Sequence, residues 1–340
     1  MTLISSAVDT VTFNIGTGVV SLDATSGAPL QFTDDRAPER TYLLDSTVPW
    51  HSVEHAWGSG HVIGEGWASR WNTPHDITVG EQTLSTTHRL GDRIELAVTR
   101  RGGETFYETY RFRNVSSETV ALTSLGIQTP FADLYQDADD ALRRRVHAHI
   151  FTGGSWAWAL AQPMSGSGRM LGLVVREGQL NGYSVESRNA NLYSNARGHL
   201  VMQVTDAARN PEAFGGQPVI ELAPNEEYTL SWELDWYDTV DAFLDATSAP
   251  AQFSSYAAAT SDAIEVSTRL PVTAEAGVSV VPVSGGYLLT AADRGSYGIT
   301  IGDDARTEVH FYADVERTVR TRAEYVLRHQ STGERPGTLA

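Results

Sequence analysis

The sequence predicts an all-β protein: a large antiparallel β-sandwich, a small second β unit and one C-terminal helix. Three observations carry this. Short runs rich in β-branched and aromatic residues recur from residue 10 to 237, separated by Gly, Asp and Pro. Hydrophobic residues make up 41% of 340, with eight Trp and thirteen Tyr, enough for one sizeable core plus a smaller unit. Only near the end, in VERTVRTRAEYVLRHQ, do Val315, Val319, Ala323, Val326 and Leu327 recur at clear helical spacing.

Taken in order, TVTFNIG, GVVSLDA, PLQFTD and RTYLLD read as strands within residues 10–50. Residues 50–75 break the pattern with Trp50, Trp57, Trp67, Trp71, His51, His55, His61 and His75 among glycines, and read as a loop-rich surface. Strands resume with QTLSTTHRL, RIELAVTRR and ETFYETYRFRN, the last two joined across Gly102-Gly103. Phe106, Tyr110 and Phe112 share even positions, so one face of that strand is apolar. VALTSLGIQTPF, VHAHIF, WAWALAQP and RMLGLVVREG follow as strands, then a polar, Asn-rich stretch at 181–199. VIELAPNEEYTLSWELDWY reads as a hairpin turning at Pro224–Glu226. In it Glu233 and Asp235 lie on one face, and Trp232 and Trp236 on the other.

Residues 238–260 read as a short helix and a linker, and 262–313 as a second set of short strands. The expected organisation is a sandwich domain over 1–250, a small β unit over 262–313, and a helix over 314–340. That helix has nothing helical to pack on, so it is expected to lead toward a further helical domain.

Composition removes several chemistries. The net charge is −17, which repels phosphate backbones and anionic lipid, so neither nucleic acid nor membrane is expected as a partner. All 25 basic residues are arginine, which excludes lysine Schiff-base chemistry, and the absence of cysteine excludes thiol nucleophiles and disulfides. No apolar run reaches the length of a membrane span. The start, MTLISSAVDTVTFNIG, lacks a basic and then apolar leader, so a cytoplasmic location is expected, with secretion left open for a trimmed chain. No cofactor or metal motif is found: the histidines make no zinc signature, and DLYQDADD lacks the glycine and distal Glu of an EF-hand.

The densest chemistry lies in IQTPFADLYQDADDALRRRVHAHIFTGGSWAW, residues 127–158. Asp137, Asp139 and Asp140 with Arg143, Arg144 and Arg145 read as a self-neutralising loop; a cation site and a sugar-facing carboxylate set are the alternatives. Asp133 stands apart, at a strand end, and is the preferred catalytic carboxyl. His147 and His149 share one strand face and are candidates for binding sugar hydroxyls or moving a proton. Gly153-Gly154 reads as a turn or bulge. Trp156 and Trp158 then share a face, as core packing or as a stacking platform for the apolar face of a sugar ring. In the 50–75 segment, Glu65 sits between Gly64 and Gly66 beside Trp67. Burial against that indole would suit it to general-acid work. Trp67 and Trp71 complete the substrate-binding candidates there.

Five pieces in order, LTSLGIQTPFADLYQDA, HAHIFTGGSWAWAL, LGLVVREGQLNGYSVESRN, the N-x-RGH at Asn195 and LAPNEEYTLSWELDWY, resemble a bacterial family of unknown function. That family is similar to the N-terminal β domain of six-hairpin (α/α)-barrel carbohydrate enzymes. The resemblance covers residues 100–245 best. Ala132 and Thr152 depart from the pattern, which has Asn and often Cys there. It implies a supersandwich like that of galactose mutarotase, a carbohydrate partner, and Arg197 as a substrate-binding residue. The expected function is the N-terminal β domain of a carbohydrate-active enzyme, a glycoside hydrolase acting on a neutral oligo- or polysaccharide. Catalytic residues are Asp133, Glu65 and His149, with others on the helical barrel. The alternatives are a non-catalytic carbohydrate-binding module and a mutarotase-like epimerase using His149 with Glu65 or Asp133.

Overall fold

Phe106, Tyr110 and Phe112 are wholly buried, as the alternation of ETFYETYRFRN requires, and Glu108 is buried in the same row. A computed structural model describes residues 9–44, 53–133, 137–186, 199–212 and 216–329. The chain divides into two units, Met1–Ala249 and Pro250–Ala340.

In the first unit, β1 (Thr10–Ile15), β2 (Gly18–Asp23) and β3 (Pro29–Asp34) form a three-stranded antiparallel sheet. A hairpin follows, β4 (Gly60–Gly64) with β5 (Trp67–Trp71). Next come β6 (Asp76–Val79), β7 (Thr83–Leu90), β8 (Ile94–Arg101), β9 (Phe106–Asn114) and β10 (Val120–Gln128). A short helix, α1 (Ala138–Arg144), leads into β11 (Val146–Gly153), β12 (Trp156–Pro163) and β13 (Met170–Glu177). The unit closes with β14 (Gly182–Glu186), β15 (His199–Thr205), β16 (Ile220–Leu222), β17 (Glu227–Tyr237) and α2 (Val240–Ala246).

Two large antiparallel sheets share one apolar core. One has the order β11-β12-β13-β17-β9-β8-β7-β6; the other has β14-β15-β10-β4-β5, with β16 also on β10. At one margin of the sandwich β11 meets β14, and at the opposite margin β5 meets β7. Val62, Leu122, Leu125, Met202 and Val204 from the second sheet pack on Leu96, Val98, Phe112, Leu171 and Trp232 from the first.

In the second unit, β18 (Gln252–Phe253), β20 (Ile264–Ser267), β22 (Val278–Val283) and β23 (Gly286–Ala291) form one sheet. β19 (Ala257–Ala259), β21 (Val272–Ala274), β24 (Gly295–Ile301) and β25 (Ala305–Tyr312) form another. The last element, α3 (Val315–His329), buries none of its residues and leaves Val315, Val319 and Leu327 exposed. No helix among the described residues is long and apolar enough to cross a membrane.

Four readings of the sequence are corrected. Within the 50–75 segment, residues 60–71 form the β4–β5 hairpin rather than a surface loop, and Trp57, His61 and Trp71 are buried. The hairpin glycines are there for the tryptophans: a Cβ on Gly60 would stand 2.4 Å from the Trp71 ring, and one on Gly64 2.1 Å from Trp67 Nε1. VIELAPNEEYTLSWELDWY is not a hairpin, because β16 joins one large sheet and β17 the other. Among the described residues of RTYLLD there is no strand, and Leu43 makes an isolated bridge to Phe131. The acidic centre is helical: Asp137 caps α1 by accepting from Asp140 N at 2.9 Å, and Arg143 and Arg145 pair with Asp139 and Asp140.

Candidate functional site

The outward face of the β11–β12 edge gathers an aromatic surface. Ala148 and Ile150 of β11 and Ala157, Ala159 and Ala161 of β12 point to the core, so the alternate residues face out. His147 and His149 are exposed, their rings edge to face at 4.9 Å. Burial lowers the His147 pKa, and the neighbouring His149 adds to that by charge repulsion. Phe151 follows on the same face, with Trp156 at 4.7 Å and Trp158 at 5.7 Å across the strand pair.

The turn that makes this possible is Gly154-Ser155, between paired Gly153 and Trp156, with Gly154 at φ +71°. Behind the tryptophans lies α2, where Phe243 meets Trp158 edge to face at 5.4 Å. Trp156 Nε1 reaches the Thr247 hydroxyl at 3.4 Å. Phe243 inserts against Gly172, where a Cβ would lie 2.6 Å from both the Phe243 and Tyr237 rings. Trp158 is therefore anchored by the helix, while Phe151, Trp156 and the histidines keep one side open.

Asp133 comes next to this edge. Val146 N, the first amide of β11, donates to Ala132 O at 3.1 Å, which sets half-buried Asp133 beside the start of the strand carrying the histidines. Asp133, His147, His149 and Trp156 thus belong to one margin of the sandwich.

Glu65, Trp67 and Trp71 do not join them. They lie on the β4–β5 hairpin, at the opposite margin. Glu65 is exposed at the hairpin turn, so the burial against Trp67 expected of a general acid is absent. Trp67 is half-buried, with the Arg93 guanidinium 5.9 Å over its ring. Trp71 is a core residue, its indole donating to Gly58 O at 2.8 Å and packing on Phe112. The 50–75 and 131–158 segments do meet, but through buried Trp57 and Phe131 at 5.3 Å. Arg197 lies outside the described residues.

A polar feature that the sequence did not reveal occupies the outer face of the second large sheet. His61 Nε2 lies 3.0 Å from the Ser124 hydroxyl, which donates to Asp206 Oδ1 at 2.9 Å, and Arg209 Nε donates to the same oxygen at 2.7 Å. A cleft of about 250 Å³ opens between His61, Arg70 and Arg209. Ser124 is wholly buried, so this chain orders the sheet face and presents no accessible nucleophile. Its only trace in the sequence is that Ser124 and Gly126 interrupt an apolar run. Among the described residues no group of three or more His, Asp or Glu is placed to hold a metal ion.

No family model matches the chain. No curated protein matches it. Solved structures do. A protein described as a polysaccharide lyase superposes with TM-score 0.71 at 22% identity, over 98% of this chain and 51% of its own. The chain therefore spans about half the length of that protein. Looser likenesses include a putative aldose 1-epimerase from Escherichia coli K12, with TM-score 0.43, 14% identity, and 68% and 99% coverage of the two chains. Another is a galactose mutarotase-like protein from Clostridium acetobutylicum, with TM-score 0.43, 9% identity, and 68% and 95% coverage. At these identities the likeness defines a fold class, an all-β sandwich shared along the whole chain with the lyase.

Proposed function

We propose that this chain is the saccharide-contacting β domain of a polysaccharide-cleaving enzyme. The observation that supports it most is the open row of His147, His149, Phe151 and Trp156 at one margin of the sandwich. Indole and phenyl faces stack on the C–H face of a pyranose, and two imidazoles supply donors and acceptors for its hydroxyls. The whole-chain fold likeness to a polysaccharide lyase agrees with this reading.

In this account Trp156 and Phe151 hold a sugar ring, His149 and His147 bind hydroxyls further along β11, and Asp133 is the candidate carboxyl at the start of that strand. The lowered His147 pKa favours the neutral imidazole, which can accept a proton at one ring nitrogen while its N–H donates a hydrogen bond. Glu65, Trp67 and Trp71 take no part. The exposed apolar residues of α3 are where a helical partner domain would pack and supply further catalytic groups.

Hydrolysis and β-elimination are separated by their products. The chain, alone and joined to the proposed helical domain, is incubated with neutral and acidic polysaccharides, and both new reducing ends and new ultraviolet absorbance are followed. Reducing ends without absorbance mean hydrolysis, and both together mean elimination. Saccharide binding without either means a binding module, and the absence of both binding and cleavage rejects the proposal.

A further inference from the structure

At one end of the sandwich a cavity of about 340 Å³ is lined by Asp34, Arg36, Arg40, Gly168, Arg169 and Asp238. Its charges do not balance. Arg36 Nη1 pairs with Asp238 Oδ1 at 2.8 Å. Arg169 Nη1 pairs with Asp34 Oδ1 at 3.1 Å and donates to Thr17 Oγ1 at 2.6 Å. Those two pairs leave Arg40 without an ion pair among the described residues, its side chain meeting the Tyr42 hydroxyl instead.

Arg40 is only 7% exposed, and its Nε and Nη1 make no hydrogen bond. Asp34 Oδ2 is also without a hydrogen-bond partner, yet Arg40 forms no ion pair with it. The loop on top is shaped around this guanidinium: Gly168 sits at φ +97°, and a Cβ there would stand 2.3 Å from Arg40 Nη1. A buried charge without a counter-charge is costly, so proteins keep one only where something else supplies the partner. A chain of net charge −17 that nonetheless concentrates three guanidiniums around one cavity has built a local site for negative charge.

We propose that this cavity is an oxyanion-binding site, with Arg40 as the residue that supplies the unspent charge and Arg36 at its rim. The ligand is one carboxylate, sulfate or phosphate group, because a guanidinium fork matches two oxygens of such a group. The volume admits a free anion or the same group carried on a single sugar ring. The cavity lies by the loop that leaves β12, close to the start of β11, where Thr41 N donates to Arg144 O at 2.9 Å, and its anion binding is tested independently of the saccharide reading.

The test is calorimetric titration of the chain with sodium sulfate, inorganic phosphate, acetate, glucuronate and glucose, at constant chloride. Saturable binding of sulfate or phosphate, with no gain for glucuronate over acetate, identifies a free anion. Binding of glucuronate more tightly than acetate, with glucose inert, identifies a sugar-borne carboxylate. In either case Arg40→Met weakens binding by about tenfold or more, the loss expected for a charge-assisted contact. The variant still melts normally in chloride alone, since it removes an unpaired charge. Should Arg40→Met fail to fold, Arg36→Gln at the exposed rim lowers the same affinity. No heat from any anion, or binding that both variants retain unchanged, overturns the proposal.

Discussion

Arg100 Nε donates to Glu108 Oε1 at 2.7 Å, with both side chains almost wholly out of water in the middle of the sandwich. The same carboxylate accepts from Trp57 Nε1 at 2.6 Å, Trp232 Nε1 at 2.7 Å and Tyr110 Oη at 3.2 Å. Burial is the largest single influence and would lower the Arg100 pKa, but the charges and hydrogen bonds of Glu108 and Tyr110 together reverse it, and the net shift is upward. Tyr110 is pushed well above its ordinary value, first by burial and then by Glu108. One acid thus ties β8, β9, β17 and the segment before β4 together.

Removing that acid strands a buried cation and two indole N–H groups. Glu108→Leu is expected to cost about 3–5 kcal/mol in urea denaturation. Adding Arg100→Met to it recovers most of the loss, because the double variant no longer leaves a lone charge. A Glu108→Leu protein as stable as the parent would show that the network contributes nothing.

His88 makes stability fall in mild acid. It is buried on β7, its Nε2 3.2 Å from the Thr86 hydroxyl. Burial, then the Arg100 charge, lowers its pKa from 6.5 to about 4. The folded value lies below the unfolded one, so as pH drops through 6.5 the unfolded chain takes a proton that the folded chain refuses. Stability is therefore lost between pH 6.5 and about 4, and the His88 contribution is flat above that window. The whole effect is about 3 kcal/mol at about 1.4 kcal/mol per unit. Urea midpoints measured across the window should fall more steeply for the parent than for His88→Gln; parallel slopes would contradict this.

Gly172 holds the door for α2. Any side chain there runs into Phe243 and Tyr237, so Gly172→Val is expected to displace the helix at a cost of about 1–3 kcal/mol. Trp158 loses its contact with Phe243 in that variant, and its fluorescence should shift toward that of a more exposed indole. An unshifted spectrum with unchanged stability would place Phe243 elsewhere.

The strands and their inward faces were legible because period-2 alternation is a local signal, as in β9 and β17. The pairing was not. β16 and β17 are separated by a tight turn at Asn225, where φ is +67°, and look like a hairpin, yet they part to opposite sheets. Alternation puts Glu108 in the inward row of β9, but its partners Trp57 and Trp232 were not legible, because they lie 51 and 124 positions away. Gly60 and Gly64 looked like loop residues, since no sequence pattern shows an indole lying across a backbone. Of the candidate site, His147, His149, Trp156 and Asp133 could be grouped from their closeness in the chain. Glu65, Trp67 and Trp71 were grouped with them by chemistry alone, and the strand order puts them at the other margin.

The central claim is that saccharide meets the protein at the β11–β12 margin. Titration of the chain with a panel of neutral and acidic oligosaccharides, followed by the imidazole proton resonances of His147 and His149, tests it most directly. The account predicts saturable shifts in both resonances that vanish in Trp156→Ala and persist in Trp67→Ala. Binding that leaves both resonances still, or that Trp67→Ala removes and Trp156→Ala does not, would contradict it.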